Sequence, residues 1–235
     1  MRISVVIPAR NEEDWISLAV EALLAQDHPD FEVIVVDNGS TDRTSEVARR
    51  YPIKVLHEGR AGTMWACKRG FDEAVGDIIV RMDADCVPEK DWLSRGSEHF
   101  NDEYVVAATG PYEFSDTHPL LSSALLMSQQ YPYRWFNEAL QYLGKGAILI
   151  GGNSFMRRGA LESAGGFNTD LVFYGDDTDT AKRLSAFGRV VFDPDLTMKT
   201  SARRYQREGF VRTNAKYFFH FFKQIVSKKN EPSEK

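Results

Sequence analysis

The chain has 235 residues, 43% of them hydrophobic and 12% aromatic, enough for one substantial core or two small ones sharing a sheet, and a single domain is expected. A formal net charge of −5 gives no reason to expect nucleic acid or another polyanion as a partner. No window approaches the roughly 18–20 apolar residues of a membrane-spanning helix, and the opening MRISVVIPARNEE turns polar too early for a secretion signal; a cytoplasmic location is expected, soluble or peripheral on the inner face of a membrane.

In chain order, short β-branched runs alternate with amphipathic stretches, and each apolar run ends in small, polar or acidic residues, the pattern of a mainly parallel α/β sheet flanked by helices. Strands are predicted over 3–7, 32–36, 54–57 and 77–82. Between the first two, Asn11 reads as a helix cap, with Glu12, Glu13 and Asp14 in the first turn, Ile16, Ala19, Val20, Leu23 and Leu24 on one face, and an end near Ala25. A second helix is predicted after the turn at 38–42 and a third over 63–74. Beyond Pro88 the pattern becomes mixed, with a Trp-, Tyr- and Phe-rich helical stretch over 120–143 and short strands near 105–109, 149–156 and 189–192. No Pro/Gly/Ser linker separates the halves, which are expected to share one sheet. Cys67 and Cys86 lack CxxC spacing and a nearby His cluster, and read as two buried thiols.

In an open α/β sheet, ligands bind outside the carboxyl ends of the strands. Three apolar runs end in polar clusters there: VIPARNEE from Val6, VDNGSTDRT from Val36 and RMDADCVP from Arg81. Each alone is also an ordinary turn with a cap; parallel neighbouring strands would bring all three to one rim. Asp83 and Asp85 are one residue apart, so in an extended segment they face the same side. Two close carboxylates repel unless a cation compensates, and hard oxygen ligands suit magnesium or manganese, which bridge to phosphate. The other reading is that Asp85 begins the turn into the helix after Pro88. A third acidic site, GlyAspAsp at Gly175–Asp177, precedes a helix through Ala181, Leu184 and Phe187; one of Asp176, Asp177 and Asp179 is expected to cap it, and a remaining carboxylate could act as general base. None of His28, His57, His99, His118 and His220 stands where it reads as a further metal ligand.

Together, VIPARNEE, VDNGSTDRT, AVGDIIVRMDAD, GGNSFMRRGAL and GGF followed by GDD resemble, in order, the GT-A glycosyltransferases and within them the inverting family-two enzymes. The resemblance implies a single GT-A (Rossmann-like) α/β domain over residues 1–204, with a nucleotide-binding half (1–88), a mixed acceptor and catalytic half (89–204), and a separate basic, aromatic helix and tail (205–235). It implies that Pro8, Ala9, Arg10 and Glu12 form a loop against the nucleoside and that Asp37 bonds the base. Asp83 would face the ribose and diphosphate, Asp85 would ligate Mg2+ or Mn2+, and Asp177 would be the catalytic aspartate. Where the family commonly has a glutamate before that aspartate, this chain has Asp176, leaving the base role open between the two. Arg60, in HEGRAG, reads either as a diphosphate contact or as a solvated loop arginine. The implied reaction is transfer of a hexosyl unit, with inversion, from a UDP- or GDP-linked sugar to a hydroxyl of a saccharide or lipid-linked glycan.

From residue 203 onward there are nine Lys/Arg against three Asp/Glu, a balance of +6 that leaves −11 for the 202 residues before it. The stretch 207–226 places Phe210, Tyr217, Phe218, Phe221, Phe222 and Ile225 at helical spacing between basic residues, a pattern that serves either a packed helix or one lying on an anionic membrane surface. Arg203 and Arg204 could lie beside the donor phosphates or on the surface. A nucleotidyltransferase is the competing enzyme class, but PARNEE stands where it needs a glycine-rich basic loop, and no GxGxxG follows the first strand as a dinucleotide-binding dehydrogenase requires. The non-enzymatic alternative is a sugar-nucleotide-binding protein that retains the fold.

Overall fold

The computed structural model describes residues 1–171 and 175–226; Val172–Tyr174, just before the GDD sequence, and residues 227–235 of the tail lie outside the described residues. The elements run β1 (Ile3–Ala9), α1 (Ile16–Leu24), β2 (Phe31–Asp37), α2 (Thr44–Ala48), β3 (Lys54–His57), α3 (Thr63–Glu73), β4 (Ile78–Met82), β5 (Cys86–Pro88) and α4 (Trp92–Glu98) in the first part. They continue with β6 (Val105–Thr109), β7 (Tyr112–Phe114), α5 (Pro119–Tyr142), β8 (Asn153–Arg157), α6 (Arg158–Ser163), α7 (Asp176–Leu184), β9 (Arg189–Phe192), β10 (Met198–Thr200), α8 (Arg203–Glu208) and α9 (Phe210–Val226).

A seven-stranded sheet has the order β3-β2-β1-β4-β8-β6-β9. Its first four strands are mutually parallel, β8 runs antiparallel to both β4 and β6, and β9 is parallel to β6. The strands are apolar on both faces because both faces are covered. Ile3, Val5, Ile7, Val33, Val35, Ile78 and Val80 pack beneath α1 and α4, while Val6, Ile34, Val36 and Ile79 pack beneath α3, α6 and α7. A second sheet of three short strands, β5-β10-β7, lies beyond the end of β4. Both cysteines are buried and free, and burial pushes the Cys67 thiol up to about 12. Among the described residues, no helix is long and apolar enough to cross a membrane.

Four expectations need correction. Asn11 does not cap α1; it adopts φ 57°, a conformation that asparagine tolerates better than most residues, and α1 starts only at Ile16. Asp83–Cys86 is not extended but closes a turn, with the Cys86 amide donating to the Asp83 carbonyl at 3.1 Å. The strand expected over 149–156 begins only at Asn153. The tail helix is broken at Gly209 (φ 84°) into α8 and α9, and Phe221 and Ile225 of α9 pack against Leu140, Ile148 and Phe192.

Asn153, fully buried at the start of β8, ties four segments together. Its Oδ1 accepts from the Trp92 indole at 2.9 Å, and its Nδ2 donates to the carbonyls of Gly110 (3.0 Å) and Leu196 (2.7 Å). Asn153→Ala leaves three buried groups unpaired and should lower unfolding free energy by about 3 kcal/mol or more, measured by urea denaturation; a loss below about 1 kcal/mol would show that the segments hold without it.

Candidate active site

The parallel register brings the strand ends into line: Ala9 pairs with Asp37, and Asp37 with His57. Beyond that line the first two loops are laced together. The Asn11 Oδ1 accepts from the Thr41 amide at 2.8 Å, the Glu12 amide donates to the Thr44 hydroxyl at 2.7 Å, the Glu13 amide donates to Asp42 at 3.1 Å, and Glu13 accepts from Arg43. The positive φ of Asn11 is the bend that lets one side chain serve the opposite loop. This lacing holds Pro8, Ala9 and Glu12 beside the end of β2, with Arg10 exposed. Asp37 is buried; one carboxylate oxygen accepts from the Ser40 amide at 3.1 Å and the other lies 3.4 Å from His57 Nδ1.

Arg60 is engaged elsewhere than a phosphate contact would require. Its guanidinium forks onto Glu58 at 2.8 and 2.7 Å and lies 3.8 Å from the centre of the Trp65 ring. Hydrogen bonds from Arg60 hold the Glu58 carboxyl down at about 2. A diphosphate contact by Arg60 would have to break this fork.

The acidic centre is built around Arg81. It sits in β4 between Val6 of β1 and Ser154 of β8, and is buried. Its Nη1 donates to Asp176 at 2.8 Å and its Nη2 lies 3.8 Å from Asp83. Gly151 and Gly152 fill the space between: a Cβ on Gly151 would stand 2.8 Å from the guanidinium carbon, and one on Gly152 would stand 2.5 Å from Asp83 Oδ2. Only glycine lets that backbone pass so close, and the Gly151 amide then donates to Asp177 Oδ2 at 3.2 Å. The Asp83 turn and Asp177 therefore flank one glycine pair.

None of the three acids of α7 supplies the expected cap, because the N-cap position is Gly175. Each has a separate partner: Asp176 takes Arg81, Asp179 accepts from Arg183 at 2.8 Å, and Asp177 takes the Gly151 amide. Burial alone would raise the Asp176 pKa, but the charge of Arg81 and hydrogen bonds from Asp177 and Arg81 outweigh it and leave Asp176 lowered. Burial, and then the negative charge of Asp176, lifts Asp177 well above the ordinary carboxylate range. The two adjacent carboxylates titrate as a pair, with Asp177 the weaker acid of the two.

On the other side of the Asp83 turn, Arg203 at the start of α8 reaches back to both Glu12 and Asp85, the latter at 3.1 Å. Burial, and then the charge of Asp83, still pushes the Asp85 carboxyl up to about 6 against the pull of Arg203. The Glu12 Oε2 is buried and unpartnered. This corner is short of positive charge.

The site thus brings together Glu12, Asp83, Asp85 and Asp177 and places Asp37 along the same rim. Arg81 was missed from the sequence, although a lone arginine in the otherwise apolar strand IIVRM requires buried acids as partners. Arg81→Met leaves Asp176 buried without its counter-charge and should lower unfolding free energy by about 3–5 kcal/mol, with Arg81→Met/Asp176→Leu recovering much of it; equal losses for single and double variants in denaturant melts would contradict the pairing.

The chain is similar to known proteins over most of its length. The chain is 29% identical over 202 residues to Glycosyltransferase AglE of Haloferax volcanii, an alignment covering 83% of this chain and 65% of that protein. It is 29% identical over 192 residues to a beta-monoglucosyldiacylglycerol synthase of Nostoc sp., covering 77% of this chain and 41% of the relative. It thus spans from two fifths to just under two thirds of the length of these relatives. Among solved structures, the mannosyltransferase PcManGT of Pyrobaculum calidifontis, in complex with GDP-Man and Mn2+, superposes with a TM-score of 0.73 at 26% identity, covering 98% of this chain and 66% of that one. The α/β domain is GT-A-like, with a mainly parallel sheet as expected. With the profile described as Glycosyl transferase family 2 matching residues 4–165, the chain belongs to that family.

Proposed function

We propose that this chain carries the catalytic centre of an inverting, divalent-metal-dependent glycosyltransferase that moves a hexosyl unit from a UDP- or GDP-linked sugar to a hydroxyl of a saccharide or lipid-linked glycan. The observation that carries the reading is that the Asp83 turn and Asp177 both meet the backbone of Gly151–Gly152. PcManGT, solved with GDP-Man and Mn2+, supports a nucleotide-sugar donor and a divalent ion.

The donor half is the rim of β1, β2 and β4. Pro8, Ala9 and Arg10 offer a surface for the nucleoside, Asp37 a carboxylate for the base, and Asp83 one for the ribose and diphosphate. The residues present fit a hard cation: Asp85 retains a raised pKa, and Glu12 beside it has an orphaned buried oxygen. Among the described residues no cluster of three or more acidic, His or Cys ligands forms, so Asp85, with Asp83 adjacent, would hold the ion, and phosphate and water would complete its shell. A bound Mg2+ or Mn2+ would supply charge neutralisation for the leaving diphosphate.

The acceptor half belongs to α7. Asp177 accepts the proton of the acceptor hydroxyl as that oxygen attacks the anomeric carbon from the face opposite the nucleotide, and the configuration inverts. A carboxylate with a raised pKa is the stronger base once deprotonated. Asp176 stays ionised on Arg81 and acts as a positioning residue, which favours Asp177 for the base role.

Incubation with a panel of UDP- and GDP-sugars and Mn2+ should give acceptor-independent release of nucleoside diphosphate for the correct donor, and NMR of the transfer product should show an inverted anomeric centre. Asp85→Ala, folded by circular dichroism, should lose about a hundredfold or more of this release. Cation affinity should be flat above the Asp85 pKa of about 6 and fall about tenfold per pH unit below it, as protons compete for the carboxylate. Wild-type release by Asp85→Ala would remove the cation assignment, and donor binding without any turnover would favour a non-catalytic sugar-nucleotide-binding protein.

A further inference from the structure

The acidic corner beside the Asp83 turn already has a cation of the chain itself on it. Arg203, the first residue of α8, sets its Nη2 against both Glu12 Oε1 and Asp85 Oδ2, the latter at 3.1 Å, with the Trp15 ring centre 5.8 Å from the guanidinium carbon. The match of charge is incomplete. Two guanidiniums, Arg81 and Arg203, serve four carboxylates, Glu12, Asp83, Asp85 and Asp176, and the Glu12 Oε2 is buried with no partner. One delocalised positive charge leaves the corner net negative, and a compact divalent ion neutralises it better.

Arg203 can let go of these carboxylates without any unfolding, because its backbone is held independently of its guanidinium. Asp116 accepts from the Ala202 amide at 2.6 Å and from the Ser201 hydroxyl at 2.6 Å, the Gln206 side chain donates to the Asp116 carbonyl at 3.2 Å, and the Tyr205 ring meets Phe114 edge-on with centres 5.2 Å apart. These contacts fix the start of α8 against the segment that follows β7. Release of Glu12 and Asp85 then needs only rotation of the Arg203 side chain, which is 40% exposed and has solvent to turn into. The group that leaves is charged at every working pH, so the contest is between two cations and not between a cation and a proton.

We propose that Arg203 is the built-in counter-ion of the cation site, and that a divalent ion binds Asp85 only as Arg203 releases Glu12 and Asp85. While Arg203 is seated, Asp85 is taken and a second positive charge at that range is repelled. The apparent affinity is therefore that of the site freed of Arg203, reduced by the fraction of molecules in which the side chain has turned away. The inference rests on the reading of Asp85 as the cation ligand and adds the residue that sets how tightly the ion is held. An arginine that merely braced α8 against the turn would behave otherwise: on its removal Glu12 and Asp85 would lose a support and bind an ion no better.

Calorimetric titration of the full chain with Mn2+ alone is the test. Arg203→Gln should bind Mn2+ about tenfold more tightly than wild type, whereas Arg207→Gln, which removes an exposed positive charge from the same helix, should stay within about twofold. In thermal melts Arg203→Gln should be less stable than wild type without Mn2+ and gain more on its addition. Should that variant not fold, the wild-type protein carries the test: saturating Mg2+ should change the tryptophan fluorescence as the guanidinium leaves Trp15, a change absent from Trp15→Phe. Mn2+ binding unchanged or weakened in Arg203→Gln, equal tightening in Arg207→Gln, or Mg2+ saturation without a Trp15 signal would overturn the proposal and leave Asp85 as the ligand. Absence of Mn2+ binding in the wild type and both variants would overturn the cation reading with it.

Discussion

A buried guanidinium fixes the centre of this molecule. Arg81 lies within the sheet, where a charge is tolerated only if counter-charges surround it, and Asp176 and Asp83 are those charges. One comes from the first turn of α7 and the other from the turn after β4. The ion pair therefore ties α7 to that turn. The glycine pair Gly151–Gly152 is its steric complement, since the backbone must cross directly over the guanidinium and the Asp83 carboxylate.

The same pair divides labour between adjacent aspartates. Arg81 keeps the Asp176 carboxyl low, while burial and then the charge of Asp176 lift Asp177. Arg203 does something related on the far side, where it partly compensates Asp85 and Glu12. On the proposed reading, a cation at Asp85 would compete with Arg203 for that carboxylate.

Much of the fold was legible because parallel strands write their burial directly as β-branched runs, and the polar ends of those runs gave the rim of the cleft. The Asp83–Asp85 region was misread as extended because alternation cannot distinguish a strand's last residues from a turn that follows it. Asn11 was misread as a cap because its partner, Thr41, lies in another loop. The Arg81–Asp176 pair spans 95 positions, and nothing local to either residue names the other. The inward amides of α5 were hidden for a similar reason: the backbone groups that Gln129 and Asn137 bond belong to Tyr112 and Val190, in separate strands.

The central claim is that Asp83 and Asp85 serve the leaving group while Asp177 serves only the attacking hydroxyl. It is tested most directly by measuring donor affinity and single-turnover transfer together on a folded Asp177→Asn variant in Mn2+. The account predicts donor affinity within about twofold of wild type and transfer reduced by about a hundredfold or more. Transfer at the wild-type rate, or a loss of donor affinity as large as the loss of transfer, would contradict it.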